Sequence, residues 1–433
     1  MSTTIIRSYL QQKHTKFRTR RALRQFQEKR IQKILQEVIP NSPYTKERCI
    51  GRNMDTWDTI HPMEKSEMMT NFDRLNTVGV SKEEAIAMAK KEEDSRSFNS
   101  VLDGYTVGLS SGTSGQLGLL LVSQYEQEEW VGRILAKVLP EHLFYPKQDR
   151  VAFFLRANSP VYERTGSKRL AFHYFDLAKD IEEHLEPLQK LNPTLLIAPP
   201  SFLRHLVPFI QNGTIRLTPQ KVITVAEPLD IVDERLFRSV FKQTIHQIYQ
   251  ATEGFLATTC EYGTLHLNEE LVMFEREPLD AQRFVPIITD LYRTTLPIIR
   301  YRLNDVLRLR PSPCSCGSLL TAVDAIEGRC DDILLLPQKD GTQRPVYADF
   351  WRRCILMSDA RVQDYGLRQV QENRLELFIQ ADEEDEVRTR VEEALHTMIR
   401  KRHGEPVDIT HVYDWPKGGR AKKKRIERRI QPS

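Results

Sequence analysis

No run of the 433 residues is apolar enough, for long enough, to cross a bilayer, which takes about 18 consecutive apolar residues. Nor does the start supply a signal-peptide core: between Met1 and Leu10 the bulky aliphatics are Ile5, Ile6 and Leu10. The expectation is a cytoplasmic protein with no membrane partner. Cysteine is sparse, six over the whole length, which excludes a disulfide scaffold and makes clustered thiols candidates for metal or catalysis. There is no internal repeat and no low-complexity linker, so repeat architectures are excluded. Net charge is also small, +4, beside 40% hydrophobic and 28% charged residues, which fits a globular chain of two or three domains.

The positive charge is uneven, concentrated in residues 7–33 and 417–429. A basic end can be a nucleic-acid arm, but the first stretch interleaves Leu23, Phe26, Ile31, Ile34, Leu35 and Val38 with its charges. That spacing predicts an amphipathic N-terminal helix within residues 1–40, packed on a domain with its arginines facing water. Nucleic acid is therefore not the expected partner.

The helix ends near Pro40, residues 57–71 read as a loop, and 81–93 as a helix. Strand patterns at 105–109 and 119–122 flank a loop of small residues, and Trp130, Ile134, Leu135 and Val138 share one helical face. Short apolar runs at 151–155, 195–198, 222–225 and 245–249 then alternate with helical segments, which argues an α/β region with a mostly parallel sheet. The expected architecture is α/β: a large multi-layer N-terminal domain with mixed sheets over 1–334, and a small mobile α+β domain over 335–433. The latter rests on strand, helix and strand patterns at 375–379, 385–402 and 407–412.

Between the strands at 105–109 and 119–122 lie Ser110, Ser111, Gly112, Thr113, Ser114 and Gly115. Glycines let backbone amides approach a ligand and gather into an anion-binding concavity, and the hydroxyls add donors for phosphate oxygens. The Walker pattern is absent, and taken alone such a loop is as readily a flexible turn. Downstream stand Tyr249-Gln250-Ala251-Thr252-Glu253, then Arg300-Tyr301-Arg302-Leu303-Asn304-Asp305, then Gly328-Arg329-Cys330-Asp331-Asp332.

In order and spacing these four segments resemble the adenylate-forming superfamily of acyl-CoA synthetases, adenylation domains and luciferases. Within it, the chain is similar to the phenylacetate–CoA ligase branch, which includes a synthetase that adenylates a deazaflavin coenzyme. Pro62-Met63-Glu64-Lys65, Ala226-Glu227-Pro228-Leu229, the Leu296–Arg302 segment and Cys314-Ser315-Cys316-Gly317 extend the likeness from about residue 25 to the end. The resemblance implies ATP on the 110–115 loop, adenine stacked on Tyr249, the α-phosphate on Thr252, and Mg²⁺ on Glu253, a hard cation taking oxygen ligands. Asp305 would accept from the ribose hydroxyls, with Arg329 close by and the domain hinge at Asp331 or Asp332. Near the end, Ala421-Lys422-Lys423-Lys424-Arg425-Ile426 resembles the branch's Gly-Lys-x-x-Arg ending and assigns the catalytic lysine to Lys422, with Lys423 and Lys424 as competitors. Three positions depart from the pattern: Gly118 for lysine, Gln250 for glycine, and Leu303-Asn304 for Thr-Gly.

Four metal-capable residues fall into two short pairs, Cys260 with His266 and Cys314 with Cys316. Three thiolates and an imidazole form a closed tetrahedral zinc set, which points to a structural ion joining segments next to Glu253 and Asp305. His173 lies near where relatives line the acyl pocket, but a core aromatic cluster is the preferred account of it; Asp176 could hold a substrate amino group. The expected function is activation of a carboxylic acid as acyl-AMP and transfer to CoA or a carrier thiol. The alternatives are AMP transfer to a phenol-like hydroxyl acceptor of a coenzyme, and a zinc-stabilised nucleic-acid-binding protein. The oligomeric expectation is a monomer or homodimer.

Overall fold

The computed structural model describes residues 1–95, 101–109, 118–140, 147–155, 166–330, 333–402, 404–415 and 424–430. A small antiparallel sheet of β1 (Val101–Leu102), β2 (Tyr105–Leu109) and β3 (Leu119–Ser123) presents the ends of β2 and β3 that flank the 110–115 loop. Ser123 and Glu126 then form a capping box that starts helix Gln124–Val138.

The main sheet has a parallel half and an antiparallel half. Strands β4 (Asp149–Leu155), β5 (Leu170–Asp176), β6 (Leu195–Ala198), β7 (Lys221–Thr224) and β8 (Ile245–Ala251) pair in parallel, in the order β8-β7-β6-β4-β5. All four residues of β6 are buried, as expected where helices cover both faces. On one face Leu195, Ile197 and Ile223 meet Ile5, Tyr9, Val131 and Leu135. On the other, Leu196, Ala198 and Val222 meet Phe202, Leu203 and Phe237.

The antiparallel half makes the whole sheet mixed, as expected for the large domain, while the 151–249 runs pair in parallel. It continues through β9 (Gly254–Thr259), β10 (Leu265–Leu267), β15 (Ala322–Arg329), β14 (Asp305–Leu309), β12 (Arg283–Asp290) and β11 (Val272–Pro278), with β13 (Tyr301–Arg302) paired to β12. The β8–β9, β9–β10, β11–β12 and β14–β15 connections are hairpins, which need no crossover helix.

The N-terminus is corrected: residues 1–40 form two helices, Thr3–His14 and Arg20–Val38, the second capped by Thr19. The first lies so close to helix Gln124–Val138 that a Cβ on Gly132 would sit 2.4 Å from the Ile5 carbonyl oxygen. Arg20, Arg21 and Arg24 are exposed, as expected, and two arginines of the second helix also make specific contacts. Arg20 forks onto Glu269 at 2.6 and 2.7 Å, and Arg30 donates to the Leu291 carbonyl at 2.8 and 3.0 Å. They dock the helix. Residues 57–71, expected to be loop, contain the 3-10 turn Met54–Thr59 and helix Lys65–Thr70.

After Arg329 the chain builds a separate core. Hairpin β16 (Leu334–Pro337)/β17 (Gln343–Val346) precedes a four-stranded sheet, β20 (Asp408–His411), β19 (Arg374–Ala381), β18 (Val362–Gln371) and β21 (Ile426–Arg428). Leu375, Leu377 and Ile379 alternate along β19 and pack on Val387, Val391, Leu395 and Ile399 of helix Glu384–Lys401. Helix Ala348–Ser358 contributes Trp351 and Ile355 to the same α+β core.

Candidate active site

The turn between β8 and β9 contains two residues, Thr252 and Glu253, because Ala251 pairs with Gly254. A bulge between Tyr249 and Gln250 re-aims the end of β8 and leaves Gln250 exposed. The Thr252 hydroxyl donates to the Glu253 carboxylate at 2.8 Å, and Arg293 donates to the Thr252 carbonyl at 2.8 Å. Arg293 belongs to a loop fixed by Glu126, which accepts from the Thr294 and Thr295 amides at 2.7 and 2.9 Å and from the Thr295 hydroxyl. Those donors, outweighing burial, hold the Glu126 carboxyl below its usual range.

Asp305 opens β14 directly opposite Arg329 on β15. Its Oδ2 accepts from the Tyr249 hydroxyl at 2.5 Å. Burial pushes the Tyr249 phenol well above its ordinary range, and the Asp305 carboxylate pushes the same way. Glu253 and Arg329 are both close enough to act on Tyr249 as well. The structure therefore gathers Tyr249, Thr252, Glu253, Asp305 and Arg329 on two hairpins of one sheet, β8–β9 and β14–β15. The remaining expected positions, Ser110, Ser111, Gly112, Thr113, Ser114, Gly115, Asp331, Asp332 and Lys422, lie outside the described residues. Gly118 is buried where it enters β3.

Two further residues join the cluster. Met63 donates to the Arg300 carbonyl at 2.7 Å and Arg302 donates back to the Met63 carbonyl at 2.9 Å, so the Pro62–Lys65 segment runs beside β13. This brings Lys65 to Glu253 and Arg329; burial lowers its ammonium pKa and Glu253 opposes that. Tyr301, buried, has its phenol raised by burial and by its hydrogen bond to Glu253. Both residues stand in segments quoted for the resemblance, yet only the pairing of the two segments shows that they face Glu253. His173, by contrast, is exposed on β5, at some distance in sequence from any of these groups.

A second cluster lies at the other ends of β9 and β14. Cys260, His266, Cys314 and Cys316 place their ligand atoms within 4.8 Å of one another. Cys260 and Cys314 sulfurs are 3.7 Å apart, and the Cys316 sulfur is 3.4 Å from His266 Nε2. A tetrahedral ion with bonds of 2.3 Å to sulfur and about 2.0 Å to nitrogen needs edges of roughly 3.8 and 3.5 Å. His266 Nδ1 lies 3.0 Å from the Leu320 carbonyl, a contact that places the proton on Nδ1 and presents Nε2 as a ligand. The Cys316 amide and the Thr264 hydroxyl pull the Cys314 thiol down to about 6. Burial and the neighbouring thiols push Cys316 up to about 11, so it would lose its proton on binding a cation.

No family model matches the chain. Over 198 residues it is 23% identical to Protein CapK of Staphylococcus aureus; the match covers 45% of this chain and spans less than half, 43%, of that curated relative. Among solved structures, 2-hydroxyisobutyryl-CoA ligase in its postadenylation state with R3-HIB-AMP superposes with a TM-score of 0.67 at 12% identity, over 94% of this chain and 89% of that one. The same ligase scores 0.58 in an open conformation and 0.53 in its thioesterification state. GH3.15 acyl acid amido synthetase scores 0.59 at 14% identity, covering 90% and 86% of the two chains. The chain has the fold of the adenylate-forming enzymes, a large α/β region followed by a smaller α+β one. Among the described residues no helix is long and apolar enough to cross a membrane.

Proposed function

We propose that this protein activates a carboxylic acid with ATP as an acyl-adenylate and passes the acyl group to a thiol, CoA or a carrier protein. The observation that carries the reading is the single cluster of Tyr249, Thr252, Glu253, Asp305 and Arg329, assembled from strands far apart in sequence. Mg²⁺ would supply charge neutralisation at the departing pyrophosphate, and Glu253 is the carboxylate placed to hold it. Asp305 accepts from the ribose and Tyr249 packs against the adenine. Thr252 donates to the α-phosphate, and Lys65 and Arg329 add positive charge where negative charge gathers as the acid oxygen attacks phosphorus. The 110–115 loop takes the β- and γ-phosphates, and Lys422 serves as the lysine of the small domain. The fold shared with 2-hydroxyisobutyryl-CoA ligase supports two successive half-reactions.

The cysteine–histidine set binds one zinc ion that stabilises the site without reacting, since four protein ligands leave no position for water. It clips the β14–β15 loop to the β9–β10 hairpin, and so ties Asp305's hairpin to the one after Glu253. A pyrophosphate-release screen against carboxylic acids, with and without CoA, tests the function. Acid-dependent pyrophosphate and CoA-dependent AMP release support it. Pyrophosphate release with phenols alone moves the reading to adenylyl transfer onto a hydroxyl, and none with either class removes it.

A further inference from the structure

The contact between the small C-terminal region and the large one is built largely from buried charge. Helix Ile231–Phe241 of the large region opens with Asp230 and carries Asp233, both buried. Asp230 accepts from the Tyr365 hydroxyl at 2.7 Å and pairs with Arg352 at 3.0 Å. Asp233 accepts from Arg425 at 2.6 and 3.2 Å, and Arg425 also donates to Asp364 of its own sheet at 3.0 Å. Opposing charges hold the Asp230 carboxyl below its usual range despite burial, so it stays ionised. Beside it, the large region's Arg283 guanidinium lies over the Tyr347 and Phe350 rings, at 4.9 and 5.0 Å.

Arg425 stands three residues after Lys422 in sequence and just before β21. The other end of that segment is also pinned. Trp415 donates from its indole to the Lys424 carbonyl at 3.1 Å and lies against Gly366 so closely that a Cβ there would come within 2.3 Å of the ring. Trp415 is thus fixed to the small sheet and Arg425 to the large region.

Resting on the acyl-adenylate reading above, we propose that Arg425 is a positioning residue for adenylation. Its bridge to Asp233, supported by Arg352 and Tyr365 on Asp230, holds the small domain against the large one in the arrangement adenylation uses. The bridge must open before any other placement of the small domain is reached. Polar bridges suit such a contact, because both partners are rehydrated when it opens, whereas a large apolar face would be left exposed. The better superposition on the ligase's postadenylation state than on its thioesterification state places the bridged arrangement on the adenylation side.

The test measures the two half-reactions separately. Arg425→Gln should lower the kcat of acid-dependent ATP–pyrophosphate exchange about 100-fold, the scale of a 1 Å misplacement, with the ATP KM little changed. Thioester formation from supplied acyl-adenylate and CoA should be unaffected or faster. Arg425→Lys should recover part of the loss. Tyr365→Phe removes one hydroxyl, keeps its ring in the core and should shift the same ratio in the same direction, which guards against an unfolded Arg425 variant. Unchanged exchange, or an equal fall in both half-reactions, overturns the proposal. A second readout needs no activity: the distance distribution between probes on the exposed Tyr262 and Met357, one in each region. Arg425→Gln and Asp233→Asn should broaden it, and an unchanged distribution overturns the bridge. If the wild type releases no pyrophosphate while the distribution does broaden, the functional reading fails and the bridge stands.

Discussion

Replacing Asp305 with asparagine isolates the part of the site assigned to the ribose. One carboxylate oxygen already accepts the Tyr249 hydroxyl at 2.5 Å, so the ribose must use the acceptor capacity that remains. In Asp305→Asn the amide oxygen can keep the tyrosine, and the amide nitrogen then faces the sugar as a donor opposite donors. One hydrogen bond to a charged partner is lost, worth about 1.5–3 kcal/mol. At 1.4 kcal/mol per tenfold, the Kd for ATP should rise by about 10- to 150-fold. The Tyr249 partner is retained, so thermal stability should change little, whereas Tyr249→Phe should cost stability more than affinity. Titration calorimetry with ATP, beside thermal melts, separates the two. An Asp305→Asn variant that melts normally and binds ATP as the wild type does would refute the ribose assignment.

Cys316→Ser should lower zinc content and melting temperature together, from about one ion per chain; zinc unchanged after replacing both Cys314 and Cys316 would remove the site. Lys422→Ala should cost adenylation roughly 3–4 kcal/mol, and an unimpaired Lys422→Ala beside an inactive Lys424→Ala would move the catalytic lysine by two positions. Lys221 is half-buried at the start of β7 and donates to the Val138 carbonyl at 3.1 Å; desolvation, then Lys13, lowers its pKa to about 8 from an ordinary 10.5. Below pH 8 it is charged in both folded and unfolded chains, so the folded state carries the whole penalty, which fades as pH rises towards 10.5. Lys221→Met should therefore stabilise the protein by on the order of 1–3 kcal/mol at pH 7, a gain that shrinks towards pH 10 in pH-dependent denaturant melts.

The groups most legible in the sequence were those sitting in short contiguous motifs. Tyr249, Thr252 and Glu253 share one hairpin, and Asp305 and Arg329 are cross-strand partners, so reading the motifs also located the cluster. Lys65 and Tyr301 were harder, because what makes them neighbours of Glu253 is a backbone pairing between distant segments that no local pattern encodes. The same limit hid what the arginines of the N-terminal helix contact. Helical periodicity identified the apolar face of Arg20–Val38, but could not show that Glu269 and the Leu291 carbonyl wait beside its polar edge. The positions of the individual antiparallel strands escaped for a different reason. Strand β9 is buried at every position and β12 at all but one, so neither shows the alternation that marks a half-exposed antiparallel strand. The arrangement of the four zinc-type ligands needed only spacing and the position of each pair relative to Glu253 and Asp305.

The central claim is that Glu253 holds the metal on which nucleotide activation depends, and ATP–pyrophosphate exchange measures it most directly. In the presence of an accepted acid, the wild type should exchange labelled pyrophosphate into ATP only with Mg²⁺ present. Glu253→Gln keeps the shape of the side chain and an acceptor for the Thr252 hydroxyl, so it should fold normally and lose most of that exchange. A folded Glu253→Gln variant exchanging at the wild-type rate, or wild-type exchange that continues after chelation of Mg²⁺, would contradict the account.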